Sequence, residues 1–282
     1  MPFKRGPGMT FSYSAIWDDT VRMLRAYSPL LLPVAGMFLF LPSLIFGYAA
    51  PVPEPVADQS QAMDAMLAYY SDNLWWMLLV FAIGFVGHLT ILIMVLNQTS
   101  TTVGQAIGRA LRRFPVYLGV SILVGLILFV TLIPASIWFS IALLREDAAM
   151  GTVGAILLAL PAAYLSARFA ATAPAVAAEP QLGMVGALRR SFYLTRGSGW
   201  AILGILLAIM LAMMVMQLAA TFVFGSIFRL VDIMGGGEQQ IGALLDLIVR
   251  SAISALFNTV IFVLLASIYR RLLSRDASSS GT

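Results

Sequence analysis

The run LWWMLLVFAIGFVGHLTILIMVL, residues 74–96, decides the fold. It contains no Asp, Glu, Lys or Arg, and as an α-helix it extends about 35 Å, more than the ~30 Å of a bilayer's hydrocarbon core. Adjacent positions such as Trp75-Trp76 and Leu78-Leu79 are both apolar, so the strict in-out alternation of a membrane barrel strand is missing. A segment surrounded by lipid must satisfy its own backbone hydrogen bonds, and a helix does that internally.

Working outward, comparable runs occupy residues 30–49, 117–144, 151–178, 200–227 and 244–272. The expected fold is therefore an all-α integral membrane protein with six transmembrane helices, residues 1–282 forming a single membrane domain. Pro42, Pro134 and Pro161 read as kinks within spans, and the small residues from Ala162 to Ala173 predict a centrally packed fourth span. Composition agrees: 60% of residues are hydrophobic and 11% charged, with mean hydropathy +0.92, against about 25% charged in a soluble domain. The first run follows a long polar and amphipathic stretch and exceeds a signal peptide's core of roughly 7–15 residues, so it is expected to stay as a span.

The absence of cysteine and the single histidine, His88, exclude a thiolate or histidine-cluster metal site, and no cofactor or catalytic residue is expected. Met210, Met213, Met214 and Met216 read as packing or lipid-facing residues rather than a copper site. No nucleophile elbow, phosphate loop, zinc-protease motif or dinucleotide fingerprint has its supporting context.

Orientation follows from the basic residues flanking the spans. Thirteen of the 17 fall on one side: Lys4, Arg5, Arg22, Arg25, Arg109, Arg112, Arg113, Arg189, Arg190, Arg196, Arg270, Arg271 and Arg275. That side is expected to be the cytoplasm, with both termini there. The opposite connections carry Arg145 and Arg229 as bases beside Glu54, Asp58, Asp64, Asp72, Glu146, Asp147, Asp232 and Glu238. The basic faces lack interleaved aromatics, so anionic lipid is the expected partner and nucleic acid is not.

Each cytoplasmic entry shows a basic amphipathic segment, a breaker and a span. The first carries Arg22 and Arg25 beside the stripe Ile16, Thr20, Met23, Leu24 and Tyr27, breaking at Pro29. In the second, Thr102 and Gln105 have capping-box spacing, Arg109, Arg112 and Arg113 are the basic face, and Pro115 ends the helix. The third carries Arg189, Arg190 and Arg196 and ends at Gly197-Ser198-Gly199. Three interfacial helices on the inner leaflet are expected, with a pseudo-threefold repeat over about 12–97, 101–178 and 183–272. Beyond the spans, 59–70 reads as a short surface helix, 235–237 as a glycine turn, and 1–10 and 277–282 as disordered tails.

Arg168-Phe169-Ala170, Pro174-Ala175-Val176, Glu179, Gly183, Ala187-Leu188-Arg189-Arg190-Ser191, Leu194-Thr195-Arg196-Gly197 and Trp200 resemble a bacterial membrane family. It is the membrane domain fused to some glycerophosphoryl diester phosphodiesterases, with YciC-like proteins as stand-alone relatives. The resemblance is concentrated between about residues 160 and 205. It implies a six-span bundle in the bacterial inner membrane, with any phosphodiesterase chemistry in a separate barrel for which this chain has no room. The enzymatic activity is not carried over.

Ionisable side chains within spans are costly and mark candidate sites. Arg168 is read either as bonding carbonyls freed near Pro161 or Pro174, or as contacting a headgroup or ligand. Asp246 and Arg250, four apart, share a helix face and form a self-neutralising pair. His88 is expected to hydrogen-bond across helices, with a proton relay as the alternative, and Gln217 and Asn258 to join helices. Three function classes follow: a non-enzymatic protein that organises lipid or another envelope component, a transporter or channel with Arg168 and His88 on its path, and an assembly partner for other membrane proteins.

Overall fold

A computed structural model describes residues 13–53, 58–97, 102–145, 147–234 and 241–280. The expected tail at 1–10, Lys4, Arg5, Glu54, Glu146, Glu238 and the glycine turn at 235–237 lie outside them, as do the side chains of Arg229 and Asp232. Within them the elements are α1 (Tyr13–Ala35), a π-helical segment (Gly36–Phe40), α2 (Leu41–Ala49), α3 (Gln59–Leu96) and α4 (Val103–Leu144). Then come α5 (Ala148–Arg168), α6 (Thr172–Ala178), α7 (Met184–Leu194), α8 (Gly199–Met234) and α9 (Ile241–Ser280), with no strand among the described residues. Six stretches are long and apolar enough to cross a membrane: Tyr13–Ala49, Ser60–Leu96, Val103–Ala142, Ala149–Ala178, Gly199–Phe228 and Ile241–Ser278. The chain is thus a multi-pass helical membrane protein.

Several boundaries correct the sequence reading. Neither Pro29 nor Pro115 ends a helix; α1 and α4 run through both. Proline at 29 leaves the carbonyl of Arg25 without its usual amide donor, and the Ser28 hydroxyl donates to it at 3.2 Å. The first two basic segments therefore continue straight into spans, and α7 alone stands as a separate helix. Near Pro42 the chain relaxes through the π-helical turn, in which the Leu41 amide bonds back to the Gly36 carbonyl. Residues 59–70 are the first turns of α3, capped by Asp58, which accepts from the amides of Ser60 at 2.8 Å and Gln61 at 3.3 Å. Those hydrogen bonds, the Ser60 hydroxyl first, hold the Asp58 carboxyl below its ordinary pKa. At the other terminus α9 continues to Ser280, into the stretch expected to be a tail.

The fourth span packs inward only through its second half, where no residue from Ala162 to Ala173 is exposed, and its most apolar window lies at the periphery. Half of the apolar windows of α3 and α9 is buried, 50% in each, against 11% for the fourth span. Its small residues serve a break in the helix: Ala167, Ala171 and Ala175 are fully buried where α6 and α7 fold against the bundle. One buried cluster joins Leu89, Leu92 and Ile93 of α3 to Val120, Val176 and Val263. A second joins Ile16, Leu194 and Ile202 to Leu264, Ile268 and Tyr269. Because lipid is as apolar as leucine, these contacts hold through close packing rather than water exclusion. Glycines permit the closest crossings: a Cβ on Gly87 would sit 2.5 Å from Phe38 Cβ, and one on Gly47 would sit 2.6 Å from Leu247 Cδ1.

Both clusters lie towards the end carrying the arginines. The opposite halves of the helices bury little, and Trp75, Leu79, Phe129, Ile137, Leu157 and Met214 are exposed, as lipid-facing side chains should be.

Candidate functional site

The site grows from the interruption between α5 and α6. After Arg168 the backbone turns: the Phe169 amide bonds the Leu165 carbonyl at 3.0 Å, and the Thr172 amide bonds the Phe169 carbonyl at 3.0 Å. This register leaves the Arg168 carbonyl without a helical donor. Two hydroxyls one turn apart on α7 and its cap supply it, Ser191 at 2.8 Å and Thr195 at 3.1 Å, both fully buried.

The same residue's guanidinium reaches into α7. Its Nη2 donates to the Phe192 carbonyl at 2.7 Å, and its carbon lies 4.0 Å above the Phe192 ring. Arg168 is only 5% exposed, and its Nε has no partner among the described residues. Gly199 makes room for the stem, since a Cβ there would lie 3.1 Å from Arg168 Cδ and 2.8 Å from Tyr164 Cε2. Of the two readings of this arginine, bonding a backbone carbonyl is observed, although the carbonyl belongs to Phe192 rather than to the residues near Pro161 or Pro174.

A pocket of about 500 Å³ opens beside it. Arg168, Arg189 and Arg196 bring positive charge to its lining, while Ile127, Leu188 and Phe192 supply apolar surface, with Phe169 and Tyr193 completing it. The lining is chiefly apolar with three arginines among its residues, of which Arg168 is already held by Phe192, so a pocket of this kind suits a hydrocarbon whose anionic end reaches the exposed Arg189 and Arg196.

Neighbouring arginines do different work. Arg190 donates to Glu179 at 3.0 Å and to Asp276 at 3.3 Å, and the Tyr269 hydroxyl donates to the same Glu179 oxygen at 2.5 Å. Burial opposes the charge on Arg190, but Glu179, by hydrogen bond and by charge, together with Tyr269 and Asp276, raises its pKa above the ordinary value. Arg271 bonds Asp19 and donates to the Ala15 carbonyl at 2.8 Å, and Asp19 also pairs with Arg22. Arg113 donates to the Leu182 carbonyl at 3.2 Å, while Arg275 reaches Ser198 at 2.7 Å. These links tie α1, α4, α7 and α9 together at one end. By contrast, Arg25, Arg109, Arg112, Arg189 and Arg196 are exposed, and their side chains have no partner among the described residues.

The remaining predicted positions are scattered. His88 makes no hydrogen bond across helices; both ring nitrogens are buried and unpartnered, and the ring stacks on Phe262 at 4.0 Å. It does not line the pocket containing Arg168. Asn258 donates to Ser254 within its own helix rather than joining helices. The Asp246–Arg250 pair forms as expected at 2.6 Å, at the end of the bundle away from the arginine cluster. No group of three or more metal-ligating side chains exists among the described residues. Tyr269 and Asp276 were not singled out from sequence, and Glu179, Ser191 and Thr195 entered only as residues carrying the resemblance, with no role assigned to them. Compared with known proteins, the chain matches no family model, no curated protein and no solved structure.

Proposed function

We propose that this chain is a non-enzymatic protein of the bacterial inner membrane that binds anionic phospholipid from the cytoplasmic leaflet. The observation that carries the reading is the amphiphilic pocket, in which Arg168, Arg189 and Arg196 stand beside Ile127, Leu188 and Phe192. A phosphate diester bonds to guanidinium forks, and the attached acyl chain follows the apolar wall towards the exposed face of α4. The resemblance of residues 160–205 to the membrane domain of glycerophosphoryl diester phosphodiesterases and to YciC-like proteins bears on the inner-membrane placement alone and not on the lipid role.

The arginine-bearing end faces the cytoplasm in this proposal, with both termini on that side, because basic flanks are retained there. Helix α7 lies along the headgroups, while the basic segments of α1 and α4, with Arg25, Arg109 and Arg112 exposed, pass through them into the spans. Their shared pattern, basic face before a span, is the basis for a threefold repeat of chemistry, although only α7 is detached.

The test is lipid retention by the purified protein after gentle extraction, read by native mass spectrometry with matched phosphatidylglycerol and phosphatidylcholine. Wild-type protein should retain the anionic lipid preferentially. At about 1 kcal/mol per headgroup-facing arginine, the double variant Arg189→Gln/Arg196→Gln should weaken that preference by about thirtyfold. Equal retention of both lipids by the wild type, or an unchanged preference in the variant, would remove the proposal.

A further inference from the structure

The end of the bundle opposite the arginine cluster carries a second polar site. On α9, Ala243, Asp246, Leu247, Arg250, Ser251 and Ser254 recur at three- and four-residue spacing and so share one face. They border a cavity of about 930 Å³ towards α2 and Tyr69, which Ser43, Phe46 and Gln217 also line. Asp246 and Arg250 border a further cavity of about 540 Å³ as well, on the α8 side, with Thr221 and Ser226. The ion pair thus forms a wall between two openings.

A pair buried in the bundle would need close packing and further hydrogen bonds to offset its desolvation. This one uses a single donor and a single acceptor, Arg250 Nε to Asp246 Oδ2. Among the described residues, the two terminal nitrogens of Arg250, Asp246 Oδ1, the hydroxyls of Ser43 and Ser251 and the Gln217 amide have no hydrogen-bond partner. Both charged side chains keep access to the cavities, at 42% and 25% exposure for Arg250 and Asp246. Polar groups of both signs left open within membrane-spanning helices call for a polar guest.

The lining defines that guest. The open guanidinium edge takes an oxyanion in a fork, Asp246 Oδ1 takes an ammonium N–H, and Phe46, Leu244 and Leu247 offer apolar surface. We propose that this cavity binds the headgroup of a zwitterionic aminophospholipid, its phosphate on Arg250 and its primary ammonium on Asp246. The inference is independent of the anionic pocket at the other end. A quaternary ammonium has no N–H to donate to Asp246, so choline lipids should be discriminated against.

The experiment titrates full-length protein in mild detergent with dihexanoyl phosphatidylethanolamine, dihexanoyl phosphatidylcholine and free phosphoethanolamine, following bound ligand by native mass spectrometry. Losing one charge-assisted hydrogen bond corresponds to about a tenfold change in affinity. Wild-type protein should therefore bind the ethanolamine lipid about tenfold more tightly than the choline lipid, and more tightly than free phosphoethanolamine. Asp246→Asn and Arg250→Gln should each abolish the preference, and Arg189→Gln/Arg196→Gln should leave it intact. The comparison of lipids on wild-type protein needs no variant, and Asp246→Asn/Arg250→Gln keeps shape and net charge should a single change unfold the protein. Equal binding of the two lipids, persistence of the preference in the double variant, or binding of free phosphoethanolamine as tight as that of the lipid would overturn the assignment.

Discussion

Replacing Arg168 by methionine removes the charge while keeping an unbranched stem, and the structure sets the size of the loss. The Nη2 bond to the Phe192 carbonyl, at 2.7 Å in a residue only 5% exposed, is charge-assisted and contributes roughly 1.5–3 kcal/mol. Stacking over the Phe192 ring at 4.0 Å adds roughly 0.5–2 kcal/mol. Against these stand the unpartnered Nε and the cost of keeping a cation out of water, of which the unpaired donor alone costs roughly 1–3 kcal/mol. Taking the middle of each range leaves Arg168→Met about 1.5 kcal/mol less stable. Lysine keeps the charge but loses both the fork and the ring contact, so Arg168→Lys should fall between methionine and wild type. Unfolding in mixed detergent and dodecyl sulfate measures this, and Trp200 is a local reporter because its ring lies 5.0 Å from Tyr164 beside the site. A methionine variant as stable as wild type would refute the reasoning, since buried charges replaced by apolar residues gain stability where the pairing is poor.

Two further outcomes are expected. Gly197 holds φ at +79° between α7 and α8, so Gly197→Val should lower unfolding stability by about 1–2 kcal/mol, with Gly197→Asn milder; equal stability of all three would contradict the left-handed turn. At the start of α3, the folded-state pKa of Asp58 lies below its ordinary 3.8, so its cap is present above that value and is lost as pH falls through the depressed pKa. The protection of the Ser60 and Gln61 amides, measured as exchange relative to the intrinsic rate at the same pH, should fall in that acidic range in the wild type and show no such step in Asp58→Asn.

The six spans were legible because each is a property of one continuous segment: length and apolarity suffice. Where helices break was not, because a break is decided by partners elsewhere in the chain. Pro29 lies inside a helix since Ser28 meets the carbonyl that proline strands. Arg168 ends one, although no proline or glycine marks it, since Ser191 and Thr195 satisfy its carbonyl from another element. The arginine sets were visible as sets but not as individuals. Arg190 is consumed by Glu179 and Asp276, which approach it only in the folded bundle, while adjacent Arg189 stays unpaired. The structure also narrowed the reading of small residues as the sign of a central helix, since the stretch from Ala162 to Ala173 is packed while the rest of that span is peripheral, and alanines serve a crowded turn as well as a crowded core.

That division between Arg189 and Arg190 shows how the bundle orients the lining of its pocket. Successive residues on a helix point about 100° apart, so fixing one direction fixes the others. Arg190, tied to Glu179 and Asp276 with Tyr269 on the same carboxylate, sets the rotation of α7 against α9. Ser191 and Thr195, bonded to the Arg168 carbonyl, set its position against the end of α5. With rotation and position both fixed, Arg189 and Phe192 have no choice but to face the pocket, and Arg196 follows just beyond the helix end, where Arg275 bonds its carbonyl at 3.3 Å. The paired charges therefore act through geometry and the unpaired ones through chemistry. If the proposed function holds, a bilayer phosphate meeting Arg189 and Arg196 would find their backbone positions already settled by the fold, and only the two exposed side chains would remain to be ordered on binding.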